Sequence, residues 1–401
     1  MNDCHQNERT ANEKVCNKPE IQSSKHDLRS DPVSWEQRTR DMKTIHQLTF
    51  SLFLLAIVHL PHSVFGQGNL NPPGPPAPMF RTLEQVQPRI PIGTNSTPGD
   101  TNTLFKITQP GSYYLTTNIT GVAGKHGIWI ASSGVTLDLM GFELAGVSNS
   151  LNGINITPGV ALITLANIAV RNGTVQGWGD NGIFSQTGIP PVTACQYQEL
   201  RLSNNGEGGL ISGLNSVVAN CTAAFNSNIG ISASDGSVIT GCTAYQNGGN
   251  GLVVGSGSVV IACTATDNNS GIFAGDGSTV SHCVARANTL EGITATERCS
   301  ILRNNCTQNG VGIRVFVSID SSGRGNRIED NQLTGNGQGM SVGGGDNLVL
   351  RNSAHNNTTN YFIVSGNKVG VIVTPPDSSA ISGSTGGAGL GTTDPWANFS
   401  Y

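Results

Sequence analysis

Acidic and basic side chains gather in one stretch of this sequence, residues 286–351. Glu291, Glu297, Glu329 and Asp330 stand there among Arg286, Arg298, Arg303, Arg314, Arg324, Arg327 and Arg351. Two carboxylates held on either side of a sugar linkage can act as acid and base, and a guanidinium beside them can hold a uronate carboxylate. Glu329-Asp330 is the adjacent carboxylate pair of this stretch, inside Arg327-Ile328-Glu329-Asp330-Asn331. Arg286, Glu297, Arg298, Arg303 and Arg314 are the candidate binding residues. The competing reading makes these charges solvated turns or surface ion pairs of small energetic value. Spacing alone assigns no catalytic residue.

The stretch before it is different. Residues 202–285 contain no Lys or Arg and four acids, Glu207, Asp235, Asp267 and Asp276. An anionic polymer would not settle there without a bridging metal. Asp235 and Asp276 each precede a glycine and read as turn residues, as does Asp180 in Gly179-Asp180-Asn181-Gly182. Across the chain 22 Lys+Arg face 26 Asp+Glu, a net charge of −4. No electrostatic excess is available for phosphates, so no nucleic-acid partner is expected.

Cysteine has its own spacing. Cys221, Cys242, Cys263 and Cys283 follow one another at intervals of 21, 21 and 20 residues. Cys195, Cys299 and Cys306 lie on either side. No C-x-x-C is present, and His126, His282 and His355 lie far apart, so no metal site is expected. A regular cysteine column on neighbouring parallel strands points its Cβ atoms the same way, a poor geometry for a disulfide. Buried thiols that pack as small apolar groups are the expectation.

The elements that position these residues follow from the same period. Asn205, Asn226, Asn247, Asn268, Asn288 and Asn309 recur every 20 or 21 residues, and Asn331 and Asn336 continue downstream. Gly209, Gly230, Gly251, Gly271, Gly292, Gly312 and Gly339 run in step, and from Gly230 to Gly312 each precedes Ile or Leu. Short β-branched runs such as Ser237-Val238-Ile239 alternate with clusters of Gly, Asn, Asp and Ser, which is turn chemistry. A unit this short cannot hold two packed helices, and leucine is too sparse for a leucine-rich repeat. The period predicts an all-β solenoid, one coil of a parallel β-helix per repeat, each with three short strands. Equivalent residues should stack about 4.8 Å apart, and residues 105–370 should give roughly 12 coils in a rod about 60 Å long. Each ladder asparagine should bond the backbone of its own coil and the amides above and below. The glycines should supply either a left-handed corner or close backbone approach.

Pro110-Gly111-Ser112-Tyr113-Tyr114-Leu115, Val135-Thr136-Leu137-Asp138-Leu139-Met140-Gly141 and Arg171-Asn172-Gly173-Thr174-Val175 resemble the opening coils of bacterial right-handed parallel β-helix repeat proteins. These belong to the pectin-lyase-like superfamily. The resemblance covers about residues 105–370 and implies right-handed winding, with Asp138 a turn or cap residue. For activity it implies less. The Asn-Thr-Asp, Asp-Asp, Gly-His-Gly and Arg-Ile-Lys motifs of polygalacturonases are absent, and no calcium-binding cluster of acids recurs at coil spacing. No cofactor is expected, calcium only for a lyase.

The ends are set apart by composition. Residues 1–41 are polar and charged. In 42–66 a basic start, an apolar run from Leu48 to Leu60 and the small residues before Gln67 have the layout of a secretory signal peptide. The run is shorter than the roughly 20 residues that span a bilayer, so no transmembrane span is expected in the mature chain. Residues 67–104 open with a proline-rich linker and lead to an N-terminal cap. Residues 371–401 read as a tail or cap that packs Trp396 and Phe399 against the helix, covering strand edges left open by the last coil. These features predict a secreted, periplasmic or cell-surface protein that binds extracellular polysaccharide. A lyase, hydrolase or epimerase of uronic-acid polymers and a structural or adhesive surface protein are the alternatives.

Overall fold

Val238-Ile239-Thr240 and Thr243-Ala244-Tyr245 each put one apolar residue between two outward ones. In a strand that alternation buries the middle side chain and exposes its neighbours. In the computed structural model, which describes residues 89–159, 163–185, 187–317, 322–375 and 392–401, such trios are strands of one coil. The polar extension at 1–41, the leader at 42–66 and the proline-rich stretch up to residue 88 lie outside the described residues.

Three faces wind around a common core. The first is a sheet of twelve parallel strands, from Thr103–Ile107 to Thr359–Ile363. The second carries strands such as Val217–Ala219, Val238–Thr240, Val259–Ile261, Ser300–Leu302, Arg327–Glu329 and Leu348–Leu350. The third carries strands such as Thr222–Ala224, Thr243–Tyr245, Val284–Arg286 and Ser353–His355. The second and third faces belong to one hydrogen-bonded sheet, because Ala169–Gln176 and Gln196–Ser203 run through the corner between them. Strand register equals the sequence period: Ile231 pairs with Leu252, Ile239 with Val260 and Ala244 with Ala265. Among the described residues no helix is long and apolar enough to cross a membrane.

The core consists of columns, one per face. Ile231, Leu252, Ile272, Ile293 and Ile313 stack behind the first, and Val218, Ile239, Val260, Val280 and Ile301 behind the second, none more than 1% exposed. Behind the third stand Ala223, Ala244, Ala265 and Ala285. Small residues on one face leave room for branched ones on the other two, which keeps the interior close-packed. Cys306 replaces alanine in the third column and Leu333 follows it.

Each corner carries a polar column. Between the third and first faces Asn226 donates from Nδ2 to Asn247 Oδ1 at 2.9 Å and from its backbone N–H to the same oxygen at 3.2 Å. Its second Nδ2 bond goes to the Leu202 carbonyl at 3.1 Å. That carbonyl lies on the preceding coil, where the sequence suggested one on the asparagine's own coil. The column continues through Asn309, Asn336 and Asn357. Between the second and third faces the four cysteines stand in register, with Cys221 N–H donating to Cys242 Sγ at 3.4 Å. The column then changes residue type. Cys283 N–H donates to Asn304 Oδ1 at 2.9 Å, and Asn331, Asn352 and Asn398 follow. Between the first and second faces Ser216, Ser237, Ser258 and Ser278 give way to Cys299, Asn326 and Asn347. Thiol, hydroxyl and amide interchange here because each accepts the N–H of the coil before it. All seven described cysteines are free and buried.

The repeated glycines are there for close approach. A Cβ on Gly230 would stand 2.5 Å from the Gly251 carbonyl oxygen and 2.9 Å from Asn247 Nδ2. The Asp-Gly turns are the left-handed ones, with φ of 68° at Gly236 and 67° at Gly277. Two features break the regular coil near the C-terminal end. Asn309 and Asn336 are 27 residues apart, the extra residues lying between Val315 and Arg327. Residues Asn398–Ser400 return as a strand on the third face, pairing with Ser353–His355 and with Ile372–Val373.

Candidate functional site

The charged residues of 286–351 lie on three faces and two corners. Arg314 points outward from the first face and pairs with Glu291 at 2.9 Å, while Ser270 donates to the other Glu291 oxygen at 3.0 Å. Arg286 is exposed on the third face, its Nε bonded to Gln308 Oε1 at 3.2 Å. Glu297 and Arg298 stand at the corner between the first and second faces. There Glu297 accepts from the backbone N–H and the hydroxyl of Ser322, bonds that draw its carboxyl below the usual range. Arg298 reaches Asp276 and Glu297, both at 3.4 Å. Of the five candidate binding residues only Arg303 joins a larger cluster.

That cluster forms where the second face turns into the third. Each coil passes this corner through one residue in the left-handed conformation, and four successive coils place His282, Arg303, Asp330 and Arg351 there, with φ of 52–56°. Asp330 receives Arg351 at 2.8 and 3.0 Å and Arg303 at 3.7 Å. One position earlier, Glu329 points outward yet is only 3% exposed, covered by Arg327 and Arg351, which both pair with it. The Arg351 bonds hold the Asp330 carboxyl below the usual carboxylate range, and Asp330 in turn raises Arg351. Three guanidinium groups thus face two carboxylates.

Beside the cluster lie two depressions. One, of about 400 Å³, is lined by the cluster together with Ser281, Ser300 and Leu302. The other, of about 470 Å³, is lined by Leu348, Leu350, Val369, Lys368, Asp394 and Trp396. They meet at Arg327, which lines both. Trp396 is brought here by the returning strand: Arg351 N–H donates to the Trp396 carbonyl at 3.3 Å, and the Arg351 guanidinium lies 5.1 Å from the centre of the indole ring. Trp396 remains 47% exposed. The result is a trough along the second face with cations, an apolar floor and an aromatic wall. Such a surface can stack the apolar face of a sugar and bind an anion.

Sequence reasoning placed basic residues in this region but did not bring Trp396 to Arg351. The signal available was the aromatic tail Asp394-Pro395-Trp396, whose return path no spacing encodes. At the opposite end, Asp138 acts as the turn residue expected, accepting Met140 N–H at 2.9 Å and pairing with Arg89 and Arg171 at 3.1 and 3.2 Å. His126 is separate from all of these, with Nδ1 accepting the Asn152 N–H at 3.1 Å. Among the described residues no three His, Cys, Asp or Glu side chains converge as metal ligands.

The family model described as "Right handed beta helix region" matches residues 152–309. No curated protein matches the sequence. Among solved structures the chain is similar to the Dettilon tailspike protein, at a TM-score of 0.51 and 15% identity over 67% of this chain and 58% of that one. It is also similar to the A-module of the Azotobacter vinelandii mannuronan C-5 epimerase AlgE4, at 0.47 and 14% over 65% of this chain and 91% of that one. The periplasmic alginate epimerase AlgG aligns at 0.45 and 11% over 70% and 81%. The fold is therefore a right-handed parallel β-helix.

Proposed function

We propose that this chain is a secreted or cell-surface β-helix that binds extracellular polysaccharide along its flank and leaves the glycosidic bonds intact. The trough on the second face carries this reading: two adjoining depressions, an exposed indole and a row of cations lie parallel to the helix axis. A rigid rod whose rungs repeat about every 4.8 Å presents an extended ligand with an equally extended surface. The export half of the proposal rests on the leader-like layout of residues 42–66.

The partners of the acids argue against one of them serving as a general acid. A general acid works best with a pKa near the operating pH. Asp330 and Glu297 are both drawn the other way by their partners. Glu291 and Glu329 are each engaged by arginine.

The test is a polysaccharide panel run with and without calcium, scoring both cosedimentation and new chain ends, including unsaturated uronates. Retention on one polymer without new ends is the expected result. New ends would make the protein an enzyme on that polymer. No retention across the panel would leave a structural or adhesive role.

A further inference from the structure

We infer that the trough selects a glycan in which acidic and uncharged sugars alternate, and disfavours one that is acidic at every residue. This deepens the polysaccharide-binding reading and rests on it.

The argument is the order of side chains down one outward column of the second face. Strand register places Ser300, Arg327, Leu348 and Lys368 on successive rungs. Within this column cations therefore stand two rungs apart, about 9.6 Å, with a leucine between them. Around that middle rung lie Leu350, Val369 and Trp396. A hexose in an extended chain advances by about one rung. A chain laid along the trough thus meets cation, apolar and aromatic surface, then cation again.

Both cations have donors to offer. Arg327 spends its Nε on Glu329, and its side chain is 52% exposed. Lys368 is exposed and forms no ion pair among the described residues. At the middle rung an acidic group would lie against leucine side chains and near Asp394, which also lines the depression. The guanidinium on that rung, Arg351, is already taken up by Glu329 and Asp330, so an acidic group desolvated there would lack a free partner, which is unfavourable. An uncharged sugar instead lays its C–H face on the Trp396 ring. The ladder period and the ligand period agree only when every second sugar carries the charge.

The experiment compares three oligosaccharides of equal length by titration calorimetry on the full chain. A hyaluronan oligosaccharide carries a carboxylate on alternate sugars, an oligogalacturonate carries one on every sugar, and a cello-oligosaccharide carries none. Hyaluronan is expected to bind about tenfold more tightly than either of the others. Its advantage should shrink as salt rises, because the contacts are exposed. Lys368→Ala should abolish most of the advantage. Leu348→Lys, which supplies a cation on the middle rung, should shift preference toward oligogalacturonate. Both positions face outward, and an unchanged thermal midpoint verifies the fold. Equal or tighter binding of oligogalacturonate by the wild type would overturn the inference, as would an unchanged profile in either variant. Polysaccharide binding itself would survive those results. Failure of all three ligands, together with an empty polysaccharide panel, would remove both.

Discussion

The backbone N–H of Trp178 donates to Asn205 Oδ1 at 3.2 Å, the bond that each ladder asparagine makes to the next. Trp178 thus stands in the asparagine column, one coil before its first amide. Its indole Nε1 donates to the Leu144 carbonyl at 3.0 Å, just as Asn226 Nδ2 donates to the carbonyl of Leu202. A fully buried ring therefore begins the ladder, and a Cβ on Gly127 would meet it at 2.7 Å. Trp178→Ala should cost about 3–5 kcal/mol, as expected for truncating a large buried aromatic side chain. Trp178→Phe should cost less, about 1 kcal/mol, from loss of the indole bond to the Leu144 carbonyl. Because a solenoid unfolds in segments, hydrogen exchange resolved by coil is the measurement. Equal protection of the coils around residues 127–205 in wild type and Trp178→Ala would refute the role.

Within the ladder, Asn247 accepts two bonds from Asn226 and donates to Asn268 Oδ1 at 2.9 Å and to Ala223 O at 3.0 Å. Asn247→Ala leaves two buried donors without an acceptor, and each orphaned group costs about 1–3 kcal/mol. A loss of about 3 kcal/mol is expected in denaturant unfolding. Asn228, an exposed asparagine one coil earlier, should tolerate alanine within about 0.5 kcal/mol. Similar losses at both positions would show that the buried ladder contributes little.

The periodic part of the fold was readable because stacking forces equivalent positions into equivalent surroundings. The Asn226–Asn247–Asn268 spacing specifies a coil length, and the Gly230-Ile231 and Gly251-Leu252 steps specify which residue turns inward. The columns hid where they changed chemistry. Cys283 is followed by Asn304 because a buried N–H needs an acceptor, and thiol and amide oxygen both supply one. Residue identity breaks there while geometry continues. The trough was only half legible. Arg303, Arg327 and Arg351 announced a basic region, but their sharing of Glu329 and Asp330 depends on which corner each coil presents. Trp396 reaches Arg351 beside the C-terminal strand Asn398–Ser400, a contact no period describes.

The stacked thiols make a chemical prediction. Cys221, Cys242, Cys263 and Cys283 are at most 2% exposed, and burial pushes the Cys306 thiol up out of the reactive range. Thiolate access controls alkylation. Site-resolved mass spectrometry after iodoacetamide treatment should find all five unmodified in the native protein and modified after denaturation. Labelling of any of them under native conditions, or a disulfide between two, would contradict the packed column.

Acid sensitivity should begin at His126. Burial pulls its pKa below 6.5, against the opposing pull of Asp180 and Asp100, and its Nδ1 must stay unprotonated to accept the Asn152 N–H. The unfolded chain binds that proton more readily than the folded one. Stability therefore rises with pH across the window between the lowered folded value and 6.5. Its contribution is complete above 6.5 and is lost progressively as pH falls through that window. The carboxylate of Asp330, which Arg351 holds low, acts in a separate range, losing its contribution as pH falls below 3.8. Thermal midpoints measured from pH 7.5 to 5 should decline, and His126→Gln should flatten that decline. The glutamine variant keeps a side-chain acceptor for Asn152 and cannot titrate. A variant whose midpoint falls as steeply as the wild type would assign the acid sensitivity to some other group.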